Sequence, residues 1–406
     1  MPELFLIGIS PGGQPTPEGR AALARVGCVV TAPRHAGLVS GSPCQVLPIS
    51  PLAKALDHIE ARLGDQDVAV LASGDPLFFG IGRSLIARFG AQRLTIHPAV
   101  SSMQLAFARL KEPWQDAAFI SLHGREEQDL LPKLLARRKL FLFTDPCQRP
   151  EIIAARLATG LAALGMDDQD CQIMVAEELG SEGERISHGT PAEIAGQRFA
   201  DLNVMIVLLA APAGPGPDFA FGLTEAEIAH SRGLITKDEV RAAIIHQLRL
   251  PPRGVLWDIG AGSGSIGIEA ARVCPGLTVY AIERHSDEQA NIIANRKAFR
   301  LANLHLVPGQ APEALSGLPA PDRVVIGGSG GELPAIVATV TARLAPHGIV
   351  IASAVLEATR EAAPRLFHQH GLRVAMTTIA VSRESYPPSA DGPRSLNPIT
   401  IITGST

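Results

Sequence analysis

The residues best suited to chemistry stand in one glycine-rich stretch in the second half of the chain. Asp258 closes an apolar run, and Gly260, Gly262 and Gly264 follow it at alternate positions. Glycine has no Cβ and tolerates positive φ, so such a turn lets the backbone approach a ligand closely. A helix-like apolar pattern follows, and the free N–H groups at its start would face the same ligand. The stretch therefore predicts a small-molecule site.

A second acid completes the pattern roughly twenty residues further on, as in ribose-binding α/β folds. The apolar run Thr278–Ile282 is predicted to form a strand, and Glu283 follows it. An acid at this position can accept hydrogen bonds from the two hydroxyls of a ribose. The order of strand, glycine turn, helix, strand and acid predicts an adenosine-containing ligand. A glycine-rich turn of an unrelated α/β domain is the alternative.

The acid before the turn distinguishes between two kinds of adenosine ligand. Gly262, Gly264 and Gly267 fit the dinucleotide pattern G-x-G-x-x-G, whereas Asp258 to Gly264 reads D-x-G-x-G-x-G. The longer pattern resembles the first motif of class I S-adenosylmethionine (SAM) methyltransferases. The resemblance implies that Asp258 and the turn hold the methionine end of SAM, while Glu283 holds the ribose.

Two later loops extend this resemblance. Gln310 and Ala311 follow the predicted strand Leu304–Val307, and in class I methyltransferases this strand end contacts the adenine. The loop Gly327–Leu333, which follows the next predicted strand, is nearly bare backbone. Such a loop fits a large flat ligand and can donate N–H groups to carboxylates. Together with TKDEVR, which begins at Thr236, these loops resemble the decarboxylating, carbon-15 methylating domain of cobalamin biosynthesis.

The resemblance implies a set of site residues in this half of the chain. The candidate cofactor-binding residues are Thr236, Asp258, Gly260, Ala261, Gly262, Ser263, Gly264, Glu283, Gln310 and Ala311. The candidate substrate-binding residues are Gly328, Ser329, Gly330, Arg383 and Arg394. The two arginines flank the loop Glu384–Pro393, which we expect to cover a macrocycle whose carboxylates suit Arg side chains. A solvated edge loop is the alternative, and no residue is assigned as catalytic.

Three further loops in the first half also follow predicted strands. They are Gly8–Gly13, Ser73–Pro76 and His97–Gln104. In open α/β sheets, ligands gather at the carboxyl ends of strands. The order and spacing of these loops resemble the tetrapyrrole methylase family. That resemblance implies a second SAM cleft between two α/β subdomains, with the candidate residues Pro11, Gly74, Asp75, Pro76, Ser101 and Ser102.

This half departs from the family pattern at two positions and adds one specific segment. Ser10 and Ala99 replace glycines of the family, and because both are small we expect an altered loop conformation and a retained site. The segment Ser121–Arg125, SLHGR, looks like the branch that methylates carbon 5 of the corrin precursor. Neither His123 nor Arg125 is assigned as an acid or a base.

The elements that must position these loops alternate between apolar runs and helical patterns, which predicts an α/β fold. We expect a tetrapyrrole methylase domain at 1–211, a Pro/Gly linker at 212–218 and a class I Rossmann-like methyltransferase domain of seven strands at 219–406. The first-half strands are predicted at Leu4–Ser10, Cys28–Thr31, Asp67–Ser73, Arg93–His97, Ala118–Leu122, Leu140–Thr144, Gln172–Glu177 and Val204–Ala211.

Two local predictions concern the second domain. Thr236–Leu248 is expected to form a helix with Thr236 as its N-cap and Glu239 as the capping-box partner. Val374–Val381 and Ile399–Ile402 are expected to form an antiparallel edge of the sheet, joined by a short loop.

Composition excludes several classes of function. The formal net charge of −4 and an aromatic content of 4% argue against a nucleic-acid partner. The five cysteines are scattered, which suggests neither a disulfide framework nor a metal site and fits a reducing cytoplasm. No apolar run is long enough to span a membrane. Both families resembled tend to self-associate, so a homo-oligomer is expected.

Together the two resemblances imply a bifunctional SAM-dependent C-methyltransferase acting on a tetrapyrrole of cobalamin biosynthesis. One domain would methylate carbon 5, while the other would remove the carboxyl group of the ring-C acetate and methylate carbon 15. Each domain would bind one SAM. An RNA methyltransferase with an accessory domain and a non-catalytic SAM- or tetrapyrrole-binding regulator are the alternatives.

Overall fold

The computed structural model describes residues 2–122, 130–210, 221–231, 233, 235–387 and 392–406. The chain divides into two compact units. The first takes most of the chain up to Ala210, and the second takes Ala211–Thr406 with two short segments, Gln128–Ala136 and Gly160–Met166. The predicted linker 212–218 and the residues His123 and Arg125 lie outside the described residues.

The first unit begins with a parallel sheet of five strands. In chain order these are β1 Leu4–Ile9, β2 Cys28–Thr31, β3 Gln45–Pro48, β4 Val68–Ser73 and β5 Leu94–His97. Their order in the sheet is β3-β2-β4-β1-β5. Every residue of β1 is buried, as expected for a strand between two parallel neighbours that is covered on both faces. The helices α1 Pro17–Leu23, α2 Leu52–Arg62 and α3 Gly82–Phe89 connect these strands.

A second, mixed sheet completes the first unit. Its strands are β6 Ala118–Ser121, β7 Lys139–Phe143, β8 Cys171–Glu177, β9 Arg185–Gly189 and β10 Asn203–Leu209. Their order is β6-β7-β10-β8-β9, and only the β6–β7 pair is parallel. The helices of this part of the chain are α4 Ser102–Leu110, α5 Leu130–Arg137, α6 Pro150–Ala163 and α7 Pro191–Ala195. The apolar run predicted as the strand Val204–Ala211 forms β10, the central strand of this sheet. Most residues of β10 are buried, which confirms the predicted strand.

The second unit contains a seven-stranded sheet. Its strands are β11 Gly254–Ile259, β12 Leu277–Glu283, β13 Leu304–Pro308, β14 Arg323–Ile326, β15 Ile349–Ala354, β16 Arg373–Ile379 and β19 Ile399–Ser405. The order is β13-β12-β11-β14-β15-β19-β16, and β19 alone runs in the direction opposite to the other six strands. The predicted α/β fold and antiparallel edge are therefore confirmed. The predicted short loop between the last two strands is wrong, because residues 380–398 include the ribbon β17 Ser382–Arg383 and β18 Arg394–Ser395.

Five helices pack on the two faces of this sheet: α8 Asp238–Leu248, α9 Ser265–Val273, α10 Ser286–Ala298, α11 Leu333–Arg343 and α12 Glu357–Gln369. Successive side chains of a strand point to opposite faces. In the interior strand β11, Leu256 shares a core cluster with Ile244 of α8, whereas Trp257 shares the cluster on the other face with Val337 and Phe367. All five side chains are buried, so both faces of β11 lie in the core.

A buried ion pair fixes the segment before α8 against α9. The Glu269 carboxylate accepts hydrogen bonds from Gly222 N at 2.8 Å and from Leu223 N at 3.2 Å. Arg241 Nε donates to the same carboxylate at 3.3 Å, and the Arg241 guanidinium also donates to the Leu223 carbonyl. Glu269 and Arg241 are 0% and 2% exposed. The pair therefore adds a buried polar anchor to a segment that also places Leu223 and Ile228 in the core.

The predicted cap of α8 is wrong. The helix begins at Asp238, its N-cap is Lys237, and no side chain caps it. The Thr236 carbonyl instead accepts a hydrogen bond from Arg241 Nη1 at 3.1 Å. Glu239, the expected capping partner, is bound by Arg383, so a tertiary ion pair has replaced the local capping interaction.

We predict that Glu269→Ala lowers the free energy of unfolding of the second unit by about 3 kcal/mol, because Arg241 loses its buried partner. Trp257 is the only tryptophan of this unit, so urea unfolding followed by its fluorescence in a Trp114→Phe background reports the effect. Glu357→Ala is the control, because its ion pair with Arg360 is exposed and contributes less than about 1 kcal/mol. Equal losses in the two variants would contradict the structural role of Glu269.

Candidate active site

A cleft of about 410 Å³ opens where the carboxyl ends of β11, β12, β13 and β14 meet. Many of the candidate residues line it, namely Gly260, Gly262, Glu283, Gln310, Ala311, Gly328, Ser329 and Gly330. The other lining residues are Ile259, Ile282, Arg284, His285, Glu288, Gly309 and Ile336. The structure thus brings together the glycine turn, the second acid and the two later loops, which are separated by up to 70 residues in sequence.

Close backbone contact between two loops forms one wall of the cleft. Gly260 has a φ of 67°, and a Cβ on it would lie 2.3 Å from the carbonyl oxygen of Gly328. Gly262 has a φ of 55°, but a Cβ there would meet no atom within 4 Å. Gly260 is therefore required for the packing of the two loops, whereas Gly262 leaves open space that a ligand can fill.

Asp258 lies beneath this turn and does not line the cleft. It is 1% exposed, and its Oδ2 accepts a hydrogen bond from Gly267 N at 3.0 Å. Burial raises the pKa of Asp258 to about 7, although the Gly267 N–H opposes the shift, and the nearby Glu283 adds to it. The carboxyl group joins the end of β11 to the first turn of α9, and so it holds the glycine turn in place.

The remaining candidates of the turn also support it from below. Ala261, Ser263 and Gly264 are not among the lining residues. The Ser263 carbonyl accepts a hydrogen bond from Asn295 Nδ2 at 3.1 Å, and a Cβ on Gly264 would lie 3.1 Å from Ile292 Cγ1. The turn is therefore packed tightly against α10.

Glu283 is held at the end of β12 by three backbone donors. Its Oε2 accepts a hydrogen bond from Gly262 N at 2.8 Å, and its Oε1 accepts from Arg284 N and His285 N, both at 2.8 Å. Arg284 Nη1 lies 3.3 Å from Gln310 Oε1, which connects the loops after β12 and β13. The acid and the predicted adenine-binding loop thus form one continuous wall.

Three further predicted residues of this unit, distant from the glycine turn in sequence, also lie outside the lining of the cleft. Arg383, on the ribbon, donates to the Glu239 carboxylate at 2.8 and 2.7 Å and forms an ion pair with Glu225 at 3.0 Å. The Arg383 guanidinium holds the pKa of Glu239 below its usual value. Arg394 is exposed and pairs with Arg383 across the ribbon, and Thr236 precedes α8. Their roles in ligand binding stay predictions.

In the first unit, the three predicted loops converge at the carboxyl edge of the parallel sheet. A Cβ on Gly8 would lie 2.2 Å from the Gly74 carbonyl oxygen and 2.6 Å from Ala99 N. Gly74 has a φ of 64°, and a Cβ there would lie 2.9 Å from Ser101 Cα. Asp75 Oδ1 accepts a hydrogen bond from Leu77 N at 2.8 Å, which shapes the turn around Pro76.

The loop after β8 approaches the same place. A Cβ on Gly180 would lie 2.8 Å from Gly12 N and 2.9 Å from the carbonyl carbon of Pro11. Ser101 is the N-cap of α4 and forms a capping box with Gln104, and Ser102 is the first residue of that helix. The candidate residues of the first unit therefore lie on loops, or at the start of α4, that approach one another closely.

Comparison with known proteins decides the family. Residues 3–195 match the family of tetrapyrrole (corrin/porphyrin) methylases, and residues 227–404 match the precorrin methyltransferase domain. The chain is 36% identical over 361 residues to a precorrin-6Y C(5,15)-methyltransferase (decarboxylating) of Sinorhizobium sp., covering 87% of this chain and 85% of that protein. The chain belongs to the family of decarboxylating precorrin-6Y C(5,15)-methyltransferases.

Two further proteins of the same name are similar to the chain. A Mycobacterium tuberculosis precorrin-6Y C(5,15)-methyltransferase is 33% identical over 296 residues, covering 71% of this chain and 70% of that protein. A crystal structure of precorrin-6Y C5,15-methyltransferase from Geobacter metallireducens is 38% identical, covering 47% of this chain and all of that chain, with a TM-score of 0.45. Membership of this family confirms the predicted SAM-dependent methyltransferase class.

The structure adds residues that the motifs did not include. Arg284 and His285 directly follow the second acid, so their position in sequence could have indicated them. Glu288 lies one helical turn further on, and Ile336 comes from α11; neither carried a sequence signal. Among the described residues, no group of three or more His, Cys, Asp or Glu side chains could hold a metal ion. No helix in the described part of the chain could span a membrane.

We predict a specific pH dependence for Asp258. The folded chain holds this proton more tightly than the unfolded chain does, so its contribution to the free energy of unfolding decreases as pH rises from 3.8 to about 7. Asp258→Asn keeps an acceptor for Gly267 N–H but cannot titrate. The stability of the native protein relative to this variant should fall with rising pH, by at most about 1.4 kcal/mol per pH unit. A difference that stays constant across this range would contradict the raised pKa.

Proposed function

We propose that this enzyme methylates precorrin-6Y at carbons 5 and 15 and removes the carboxyl group of the ring-C acetate, giving precorrin-8X. In this proposal the domain at 1–211 methylates carbon 5, and the domain at 219–406 catalyses decarboxylation and the carbon-15 methylation. Each domain uses its own SAM. The observation that carries the proposal is the presence, in two separate units, of glycine-dependent loop junctions at the carboxyl ends of parallel strands.

The cleft in the second unit fits SAM on structural grounds. The open space beside Gly262 and the fixed carboxylate of Glu283 suit a ribose, and Gln310 and Ala311 lie where an adenine would pack. SAM supplies a methyl group on a positively charged sulfur. The chain's own part is to hold donor and acceptor carbon in line, and such alignment contributes roughly 7–11 kcal/mol in favourable cases.

The loop after β14 suits the macrocycle. Gly328, Ser329 and Gly330 bring backbone to the cleft without large side chains, so a flat conjugated ring can approach closely. A Cβ on Gly330 would lie 3.0 Å from Arg284 Nη1, so a guanidinium lies directly behind this loop. Backbone N–H groups and this cation can orient the acetate carboxylate. Removing that carboxylate from water favours loss of carbon dioxide, while the conjugated ring takes up the electron pair.

We predict that the 406-residue chain binds two molecules of S-adenosylhomocysteine, and that single substitutions remove them one at a time. Gly262→Arg fills the open space in the second unit. Gly12→Arg does the same in the first, where a Cβ would have only the Gly180 carbonyl at 3.5 Å. Titration calorimetry should give about two sites for the native protein, about one for each variant and none for the double variant.

Matched controls separate a blocked site from a general effect of the added arginine. The control for Gly262→Arg is Gly371, which has a φ of 79° and open space around it but lies outside the cleft. The control for Gly12→Arg is Gly64, which precedes β4 at the opposite edge of the first sheet. Gly371→Arg and Gly64→Arg should each keep two sites. A native protein that binds a single molecule, or a Gly262→Arg variant that still binds two, would contradict the proposal.

We also predict the products that form from precorrin-6Y and excess SAM. Mass spectrometry of the native product should show a gain of two methyl groups and the loss of one carbon dioxide. Gly262→Arg should give a product that gains one methyl group, at carbon 5, because the SAM needed for the carbon-15 methylation is displaced while the first unit keeps its own. A product of this variant with two added methyl groups would contradict the division of labour. A cytoplasmic location and self-association stay predictions.

A further inference from the structure

Glu288 is a buried acid in the wall of the cleft that the sequence motifs did not include. It is the third residue of α10 and is 5% exposed. Its Oε2 accepts a hydrogen bond from Asn291 Nδ2 at 3.1 Å. Its Oε1 is buried and has no hydrogen-bond partner among the described residues. A buried carboxylate oxygen without a partner costs free energy, so a bound ligand that donates to it would gain from the contact.

The other carboxylate in the wall of the cleft is already engaged by backbone. Both oxygens of Glu283 accept hydrogen bonds from the N–H groups of Gly262, Arg284 and His285. Glu283 can accept further donors, but Glu288 has an oxygen with all of its acceptor capacity unused. The carboxylate of Glu288 is thus the stronger candidate for an additional donor from the ligand.

The position of Glu288 indicates which part of the ligand it faces. One helical turn further along α10, Ile292 lies against Gly264, and Asn295 then binds the Ser263 carbonyl. Side chains at i, i+4 and i+7 share one face of a helix. Glu288 therefore lies on the face that packs on the glycine turn, and it lines the cleft together with Gly262 and Glu283. This is the part of the cleft where the ribose is placed by the proposed function.

We infer that Glu288 accepts a hydrogen bond from a ribose hydroxyl of the bound cofactor, as a second acid beside Glu283. The terminal torsion of a Glu side chain is broad, so the carboxylate can turn one oxygen into the cleft while the other stays near Asn291. Glu288 is a binding residue for the cofactor. The inference rests on the proposed function, because it takes the cleft as the SAM site.

The test must measure binding to the cleft of the second unit alone. All proteins in it therefore carry Gly12→Arg, which blocks the site in the first unit. Glu288→Met removes the carboxylate at similar volume, and Asn291 keeps its 2.7 Å hydrogen bond to Ser231. We expect this variant to bind S-adenosylhomocysteine about tenfold more weakly or worse, as for loss of a hydrogen bond to a charged group. Without ligand it should unfold at the same or a higher urea concentration, because an unpaired buried oxygen is gone. Asp287→Ala, the exposed neighbour, should change neither quantity.

Deoxy analogues of the ligand identify the group that Glu288 contacts. For one of the two analogues, 2′-deoxy or 3′-deoxy S-adenosylhomocysteine, the loss of affinity relative to S-adenosylhomocysteine should be about tenfold smaller in Glu288→Met than in the Gly12→Arg protein. For the other analogue, whose missing hydroxyl contacts only Glu283, the loss should be the same in both proteins. Unchanged affinity for S-adenosylhomocysteine in Glu288→Met, or the same loss in both proteins for each analogue, would overturn the inference. If the Gly12→Arg protein binds S-adenosylhomocysteine and the added Glu288→Met substitution does not weaken that binding, the inference fails but the proposed function survives. If the Gly12→Arg protein does not bind it, the proposed function fails first.

Discussion

The structure depends on places where two backbone segments approach more closely than any side chain would permit. In the second unit Gly260 lies against Gly328, and in the first unit Gly8 lies against Gly74. A Cβ at either position would come within 2.3 Å of a carbonyl oxygen, which no local adjustment relieves cheaply. These contacts hold strand-end loops from distant parts of the chain together. Each unit thereby gains a junction of bare backbone where a cofactor can be bound.

Buried acids supply the polar groups of the loop junction in the second unit. Asp258 joins the glycine turn to α9, Glu283 is fixed by three N–H groups, and Glu288 keeps one oxygen unpaired. Glu269 has a purely structural role behind them, because it pairs with Arg241. Carboxylates are costly to bury unless donors surround them, so such a concentration of acids is stable only with the backbone donors that the turn and the helix starts provide.

Much of the fold and part of the site could be predicted from the sequence. The buried strands were recognised because they are continuous apolar runs, and the glycine turn and Glu283 because local spacing determines their positions. Strands β3 and β9 were missed because most of their residues are exposed or only partly buried, so they carry little apolar pattern. The ion pair of Arg383 with Glu239 could not be predicted from sequence, since the two residues are 144 positions apart. The unpaired oxygen of Glu288 likewise depends on tertiary packing and has no local signal.

The central claim is that two differently built sites in one chain accept the same cofactor. The most direct measurement is a crystal structure of the 406-residue chain, containing both units, grown with S-adenosylhomocysteine. The account predicts electron density for one ligand beside Glu283 and for a second beside Asp75, with the ribose of the first in contact with the Glu283 carboxylate. Density in only one of the two places, with a closed and ligand-incompatible surface at the other, would contradict it.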